Sequence, residues 1–190
     1  TTCVSKQLDW YSSVVGESPC MTYQRLRQIC NNDYQVPSFK STVPGDQCDD
    51  QVSACCCNMI AFQLSMLCMV CQQDTQDTGG IGIDARKHCH AVSNCLKPHG
   101  VCSAKPGMFD VYGDSCHPVA NHRLPSDIQS AVCNENIRID NFLYGGWDDG
   151  TCVYTEETAE RNHAANNNNT FTHCPNQISM SSSPASTSNA

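Results

Sequence analysis

The sequence predicts an α-rich α+β fold, a single disulfide-dense domain around one central buried helix at about residues 50–71, with irregular loops and a few short strands. Three observations lead to this class. The chain has 16 cysteines among 190 residues, a density typical of disulfide scaffolds. A strongly apolar stretch without a polar face runs from Ala54 to Cys71. Proline, glycine and polar residues interrupt most of the remaining sequence.

The first helix is predicted from about Pro19 to Cys30. Ser18 supplies an N-cap ahead of a proline at the first helical position, and apolar residues then recur at helical spacing. Residues 31–47 follow as a loop, because they open on Asn31-Asn32-Asp33 and contain two prolines and a glycine.

The central helix carries a concentration of cysteines. Asp49 and Asp50 place negative charge where this helix would begin, which is favourable against its dipole. The consecutive cysteines 55–57 would point about 100° apart on a helix, so we expect them to reach three different partners. Cys68 and Cys71 lie three residues apart and would share a face. The helix is therefore predicted to be the hub from which bridges extend.

The middle and the C-terminal half give weaker signals. We expect a glycine-rich loop with a break at Gly79-Gly80, then an irregular, bridge-held lobe at about residues 84–122. A short helix is predicted from about Pro125 to Cys133. Apolar alternation then suggests short strands at Ile137 and Ile139, at 142–144 and at 152–154.

The cysteine count also predicts where the protein resides. Such a density is kept only where thiols are oxidised, so we expect a secreted or extracellular protein of the cell surface or cell wall. Because the chain opens at Thr1 without a leader, we expect a mature form. We predict that all sixteen cysteines are bridged, with the connectivity left open: Cys3, Cys20, Cys30, Cys48, Cys55, Cys56, Cys57, Cys68, Cys71, Cys89, Cys95, Cys102, Cys116, Cys133, Cys152 and Cys174.

Charge and hydropathy exclude two kinds of partner. The formal net charge is −8, and no cluster of Lys and Arg offsets it, so we expect no nucleic-acid binding. The apolar stretch contains Asn58, Gln63 and five cysteines, so we interpret it as a buried helix and expect no membrane span.

The C-terminal part is predicted to carry sugars. The bonded domain should cover residues 1–174, followed by a Ser/Thr-rich tail at 175–190 that cannot form a core. Asn168 lies in the one N-glycosylation sequon of the chain, Asn168-Asn169-Thr170. The tail offers candidate O-glycosylation sites at Ser181, Ser182, Ser183, Ser186, Thr187 and Ser188.

Candidate chemical sites are few. His88 and His90 are weak metal candidates, but the cysteines around them favour disulfides, and we predict no metal and no cofactor. With an even cysteine count and no Gly-x-Ser-x-Gly elbow, nothing marks a nucleophile, so we predict no catalytic residues and no enzyme. Tyr144 and Trp147, beside a Gly-Gly turn, are candidates for stacking on a sugar ring.

Segments in both halves of the chain carry a resemblance to known sequences: Trp10-Tyr11, 14–20, 23–30, 55–58, Ala61-Phe62, 64–68, 124–129 and 166–174. Together they resemble a family of cysteine-rich secreted and cell-surface proteins of mushroom-forming (basidiomycete) fungi. The resemblance implies an extracellular protein, commonly continued after its last cysteine by a Ser/Gly-rich linker and often by a membrane anchor. It supplies no activity and no catalytic residues.

These observations predict a non-enzymatic extracellular or cell-wall structural glycoprotein that self-assembles into a filament or coat. Its partners would be copies of itself and cell-wall polysaccharide. Two other classes stay open: a carbohydrate- or small-ligand-binding module, and a secreted hydrolase of unknown specificity.

Overall fold

The computed structural model describes residues 3–4, 6–39, 46, 48, 50–73, 82–84, 122–145, 153–165 and 173–174. This part of the chain is rich in helix. Its helices are α1 (Asp9–Val15), α2 (Pro19–Gln28), α3 (Met59–Gln73), α4 (Ser126–Asn134), α5 (Asn141–Gly145) and α6 (Glu156–Ala165). Two 3-10 turns, Lys6–Leu8 and Ser53–Cys55, precede α1 and α3.

Helix α2 forms where its cap and its apolar spacing predict it. The Ser18 Oγ accepts the backbone N–H of Met21 at 3.3 Å, and Pro19 occupies the first helical position. Tyr23 and Leu26 are fully buried. This apolar face packs along α3.

Helix α3 begins at Met59, so the prediction of a helix from about residue 50 was wrong at its start. The Asn58 side chain explains the boundary: its Oδ1 accepts the Ala61 N–H at 2.8 Å, and its Nδ2 donates to the Ala54 carbonyl at 2.9 Å. Asn58 thus caps α3 while closing the turn before it. Cysteines 55–57 precede the α-helix, so helical spacing does not set their directions.

The core of the described residues is centred on α3. Every residue from Ile60 to Cys71 is buried, so this helix has no face toward water. It contacts α2, the Lys6–Leu8 turn and α5. Gln72 at its end accepts the Phe39 N–H at 2.8 Å and donates to the Pro37 carbonyl at 2.9 Å, which fixes the segment after α2. Within the described ranges, no helix combines the length and apolar character needed to cross a bilayer.

The strands predicted between residues 137 and 144 were wrong. Ile137 and Ile139 are both buried, but the Ile137 N–H donates to the Val132 carbonyl at 2.9 Å and so is committed to the end of α4. Residues 142–144 lie in α5, because the Asp140 carboxylate accepts the Phe142 N–H at 3.3 Å and starts a helix there.

Two three-residue segments pair with each other. Gly82–Asp84 (β1) and Val153–Thr155 (β2) are antiparallel, with Ile83 opposite Tyr154. A ladder of this size does not make a sheet layer. The structure therefore establishes a helix-rich, disulfide-bonded fold and leaves the α+β class a prediction.

Helix α6 was missed at the sequence level. The signal was present, since acidic residues at 156–157 follow a threonine, an arrangement that favours a helix start. Glu157 and Arg161 form an exposed ion pair one turn apart at 3.0 Å, and Ala159 is buried. The predicted break at Gly79-Gly80, residues 85–121 of the irregular lobe and the 175–190 tail fall outside the described residues.

Gln63 lies inside α3 and is 2% exposed, and among the described residues its Oε1 has no hydrogen-bond partner. Gln63→Met, which nearly conserves volume, should raise the free energy of unfolding by about 1–2 kcal/mol, because a buried acceptor without a partner costs about that much. Denaturant unfolding with the disulfides intact measures it.

Gln72→Met on the same helix is the matched control. It removes a side chain whose two amide atoms are both hydrogen-bonded, so it should lower the free energy of unfolding by about 1 kcal/mol. Equal losses in the two variants would contradict the assignment of Gln63 as an uncompensated group.

Candidate functional site

The most heavily cross-linked feature is the cysteine hub, defined here as residues 55–71. Every cysteine in the described part of the chain is disulfide-bonded, including Cys57. Four described bridges end on the hub: Cys3–Cys71, Cys20–Cys68, Cys30–Cys55 and Cys48–Cys56. A fifth, Cys133–Cys174, joins α4 to the C-terminal segment.

The bridges attach separate parts of the chain to α3 and the turn before it. Cys55 and Cys56, although adjacent, reach Cys30 after α2 and Cys48 in the following segment. Bridged cysteines have no thiolate to act as nucleophile or metal ligand. Among the described residues, the cysteines therefore hold the fold together and do no other chemistry.

A buried ionic network supports the same region. Arg27 is fully buried in α2, and Asp46 and Asp50 are less than a tenth exposed. The guanidinium binds Asp50 through two nitrogens, Nε at 2.6 Å from Oδ2 and Nη2 at 3.0 Å from Oδ1. Its Nη1 donates to Asp46 Oδ2 at 2.6 Å. Two carboxylates from the segment that contains Cys48 thus meet one cation on α2.

Two tyrosines complete the network. Tyr23 and Tyr34 each donate a hydroxyl hydrogen bond of 2.5 Å to Asp46, and the Arg27 guanidinium lies 4.2 Å from the centre of the Tyr34 ring. Burial, followed by the nearby Asp46, raises the pKa of Tyr34, so its phenol remains a donor. Burial alone would lower the pKa of Arg27, but its bond to Asp50 and the surrounding negative charge raise it.

The network is a structural feature, because Arg27 has no exposed surface through which to meet a ligand. Its carboxylates bracket Cys48 in sequence, so the ion pairs and the Cys48–Cys56 bridge hold the same short segment. The sequence offered a signal for it. Arg27 follows Tyr23 by four residues and so lies on the face of α2 that is buried.

A second polar cluster joins α5 and α6. Asp140 is fully buried, and its Oδ2 lies 2.5 Å from His163 Nδ1. Its Oδ1 accepts the Phe142 N–H, so the carboxylate is held from both sides. Burial raises the pKa of Asp140, and the neighbouring His163 opposes that effect.

Further side chains extend this cluster toward the last described residues. Asn141 donates to the Asn162 side chain at 2.7 Å, and its Oδ1 lies 3.3 Å from His173 Nε2. The His173 ring stacks on Tyr144 with the ring centres 3.6 Å apart. Burial, followed by the charge of Arg123, lowers the pKa of His173. The cluster therefore ties α5, α6 and the segment at Cys174 to one another.

The chemistry open to this cluster is proton binding. A carboxylate that fixes one imidazole nitrogen is an arrangement used in acid–base catalysis. Among the described residues, however, no hydroxyl or thiol is hydrogen-bonded to His163, and no group of three His, Cys, Asp or Glu side chains could hold a metal ion. Neither Asp140 nor His163 was a sequence candidate, since nothing in their local pattern links residues 23 positions apart.

The structure places one predicted sugar-stacking residue in the interior. Tyr144 is 4% exposed, its ring is covered by His173, and its hydroxyl donates to Gln129 at 2.8 Å. In this structure the Tyr144 ring is stacked on a protein side chain, and its contact with a sugar stays a prediction. The other candidates fall in parts of the chain that the structure does not describe: Trp147, His88, His90, Asn168, the tail hydroxyls from Ser181 to Ser188, and Cys89, Cys95, Cys102, Cys116 and Cys152.

Arg27→Met tests the ionic network. It leaves two buried carboxylates without their cation, so we predict a loss of about 3–5 kcal/mol in the free energy of unfolding. Arg25→Met, two residues away, is the matched control. Arg25 is about one third exposed, pairs with Glu17 at 3.2 Å and donates to the Glu135 and Asn136 carbonyls in an exposed position, so its loss should cost about 1–2 kcal/mol. Denaturant unfolding at neutral pH compares them; similar losses would contradict the network's role.

Comparisons with known proteins give no assignment for these clusters. No protein-family model, no curated protein and no solved structure matches the chain. Function therefore has to be argued from the chain's own bridges, charges and contacts.

Proposed function

We propose that this chain is a non-enzymatic extracellular structural glycoprotein that assembles with copies of itself into a filament or coat. The observation that carries the proposal is the convergence of four described bridges on residues 55–71. A body cross-linked around its own central helix suits a durable component outside the cell.

The energetic argument concerns the unfolded chain. The bridges at the hub close loops that span from 8 to 68 residues of sequence, so they restrict the unfolded chain at short and long range. A native disulfide typically contributes about 2–4 kcal/mol in the simple entropy model, with diminishing returns when loops overlap. Several bridges on one helix make partial opening of the core costly, which favours resistance to heat and proteases.

The same bridges support an oxidising location. They are compatible with an extracellular protein, because cytosolic thiol pools keep most cysteines reduced. Secretion, placement in a cell wall and membership of the basidiomycete cysteine-rich family belong to the proposal. So do N-glycosylation at Asn168, O-glycosylation of the 175–190 tail and contact with cell-wall polysaccharide.

Two observations on the described residues bear on the alternatives, a carbohydrate-binding module and a hydrolase. A carbohydrate-binding module loses one of its two proposed stacking residues, since Tyr144 is covered. In a hydrolase, His163 and Asp140 could serve as the histidine–carboxylate pair, but no nucleophile among the described residues contacts them.

Assembly is tested on the secreted, glycosylated protein with its disulfides intact. We predict fibres or sheets by negative-stain electron microscopy. We also predict that the apparent molar mass from light scattering rises with protein concentration. Reduction and alkylation of the same sample is the control. It should abolish ordered assemblies, because the cross-linked body would unfold.

A monodisperse monomer at all concentrations would overturn the self-assembly proposal. Glycan-array binding by that monomer, lost in Trp147→Ala, would replace it with the carbohydrate-binding class.

A further inference from the structure

Helix α6 packs against α5. Of its described side chains, Glu157, Glu160 and Arg161 are exposed, and Ala159 is buried. Two polar contacts join α6 to the start of α5: His163 Nδ1 lies 2.5 Å from the Asp140 carboxylate, and Asn141 donates to the Asn162 side chain at 2.7 Å. An alanine buries little apolar surface, so we expect these polar contacts to contribute to docking.

The charge of Asp140 has one described cationic partner. The carboxylate is fully buried, and within the described ranges its ion pair is with the His163 imidazole. Helix α3, which packs on α5, has no ionisable side chain except two bridged cysteines. From α1, the Tyr11 hydroxyl faces Asp140, and burial keeps it neutral by raising its pKa.

The remaining charges near the cluster act on neighbours of Asp140 and His163. Glu17 acts on Tyr11, and Arg123 acts on His173, whose ring reaches Asn141. On α6 itself, Glu157 and Arg161 pair with each other in solvent. The buried carboxylate is therefore neutralised when the pair carries a proton and is left as a buried net negative charge when it does not.

We propose that Asp140 and His163 form a proton-binding site that docks α6 against α5 and loosens it as that proton is lost. The ligand of this site is a single proton shared by the two side chains. A buried unpaired charge is costly, whereas undocking lets water solvate the carboxylate. This inference stands apart from the proposed assembly function and can fail or succeed without it.

The direction of the pH dependence follows from the buried carboxylate of Asp140. Burial raises the pKa of Asp140, so docking strengthens proton binding by the pair. A group whose pKa is raised on docking contributes stability that is present at low pH and lost as pH rises through the raised value. Docking of α6 should therefore be tighter in acidic solution than in alkaline solution.

Amide hydrogen exchange of the intact, disulfide-bonded protein tests the site. After correction for intrinsic exchange, protection of the peptide covering 156–165 should fall by about tenfold between about pH 5.5 and about pH 8. A fall of this kind is the linkage expected of a site that binds its proton more tightly when α6 is docked. The peptide covering α4 (126–134) should keep its protection and serves as the internal reference.

Variants separate this site from general effects of pH. Asp140→Asn retains an acceptor for the imidazole without the charge, so protection of α6 should become independent of pH and match or exceed the wild type at about pH 8. His163→Gln leaves the carboxylate unneutralised, so protection should be low at both pH values. His122→Gln, whose parent ring lies 2.9 Å from the Tyr144 carbonyl, is the control and should keep the wild-type dependence.

Protection of α6 in the wild-type protein that does not change between the two pH values would overturn the proposal. A dependence that persists in both Asp140→Asn and His163→Gln would do the same. The wild-type profile decides the question by itself if either variant fails to fold, as judged by near-ultraviolet circular dichroism.

Discussion

The structure depends on enclosing an apolar helix on all sides in a chain of modest size. Every residue of α3 from Ile60 to Cys71 is buried, and α2, α5 and the N-terminal turn contribute to the enclosure. A chain of 190 residues is long enough to build a core of this kind. The bridges at the hub add to the apolar packing, because they limit how far the enclosing segments can depart when the chain opens.

Covalent and ionic links converge on one short segment, the one that contains Cys48. The segment around Cys48 follows a loop-like sequence, yet it is bound by a disulfide to Cys56 and by two carboxylates to Arg27. The two buried acid clusters differ in how they are neutralised. Arg27 keeps its positive charge at any accessible pH, whereas the partner of Asp140 is the imidazole of His163. The first cluster is therefore a permanent ion pair, and the second is the one proposed to respond to pH.

The sequence predicted the elements whose position is set by neighbouring residues, such as a helix cap or an apolar stretch. Ser18 and Pro19 marked the start of α2, and the apolar stretch marked a buried helix. The start of α3 was missed because a run of cysteines has no intrinsic boundary, and the boundary is set by the Asn58 side chain. The strand prediction at 137–144 failed because alternating burial does not require a ladder. Those apolar residues fill the core from an irregular segment and a short helix.

The candidate sites were harder to predict than the elements. Arg27 lay on a face of α2 that the spacing marked as buried, so a buried ion pair could have been inferred, although not its partners. Asp140 and His163 come together only through the packing of α5 and α6, and α6 itself was not predicted. Bridge connectivity has the same character, since the partner of each cysteine is decided by tertiary packing.

Disulfide mapping of the unreduced protein tests the central claim most directly. Adjacent Cys55 and Cys56 have to be resolved, so electron-transfer fragmentation of the linked peptides is the suitable measurement. The account predicts that Cys55 is bonded to Cys30, Cys56 to Cys48, and α3 to the N-terminal region through Cys20–Cys68 and Cys3–Cys71. Free thiols at these positions, or bridges that bypass residues 55–71, would contradict it.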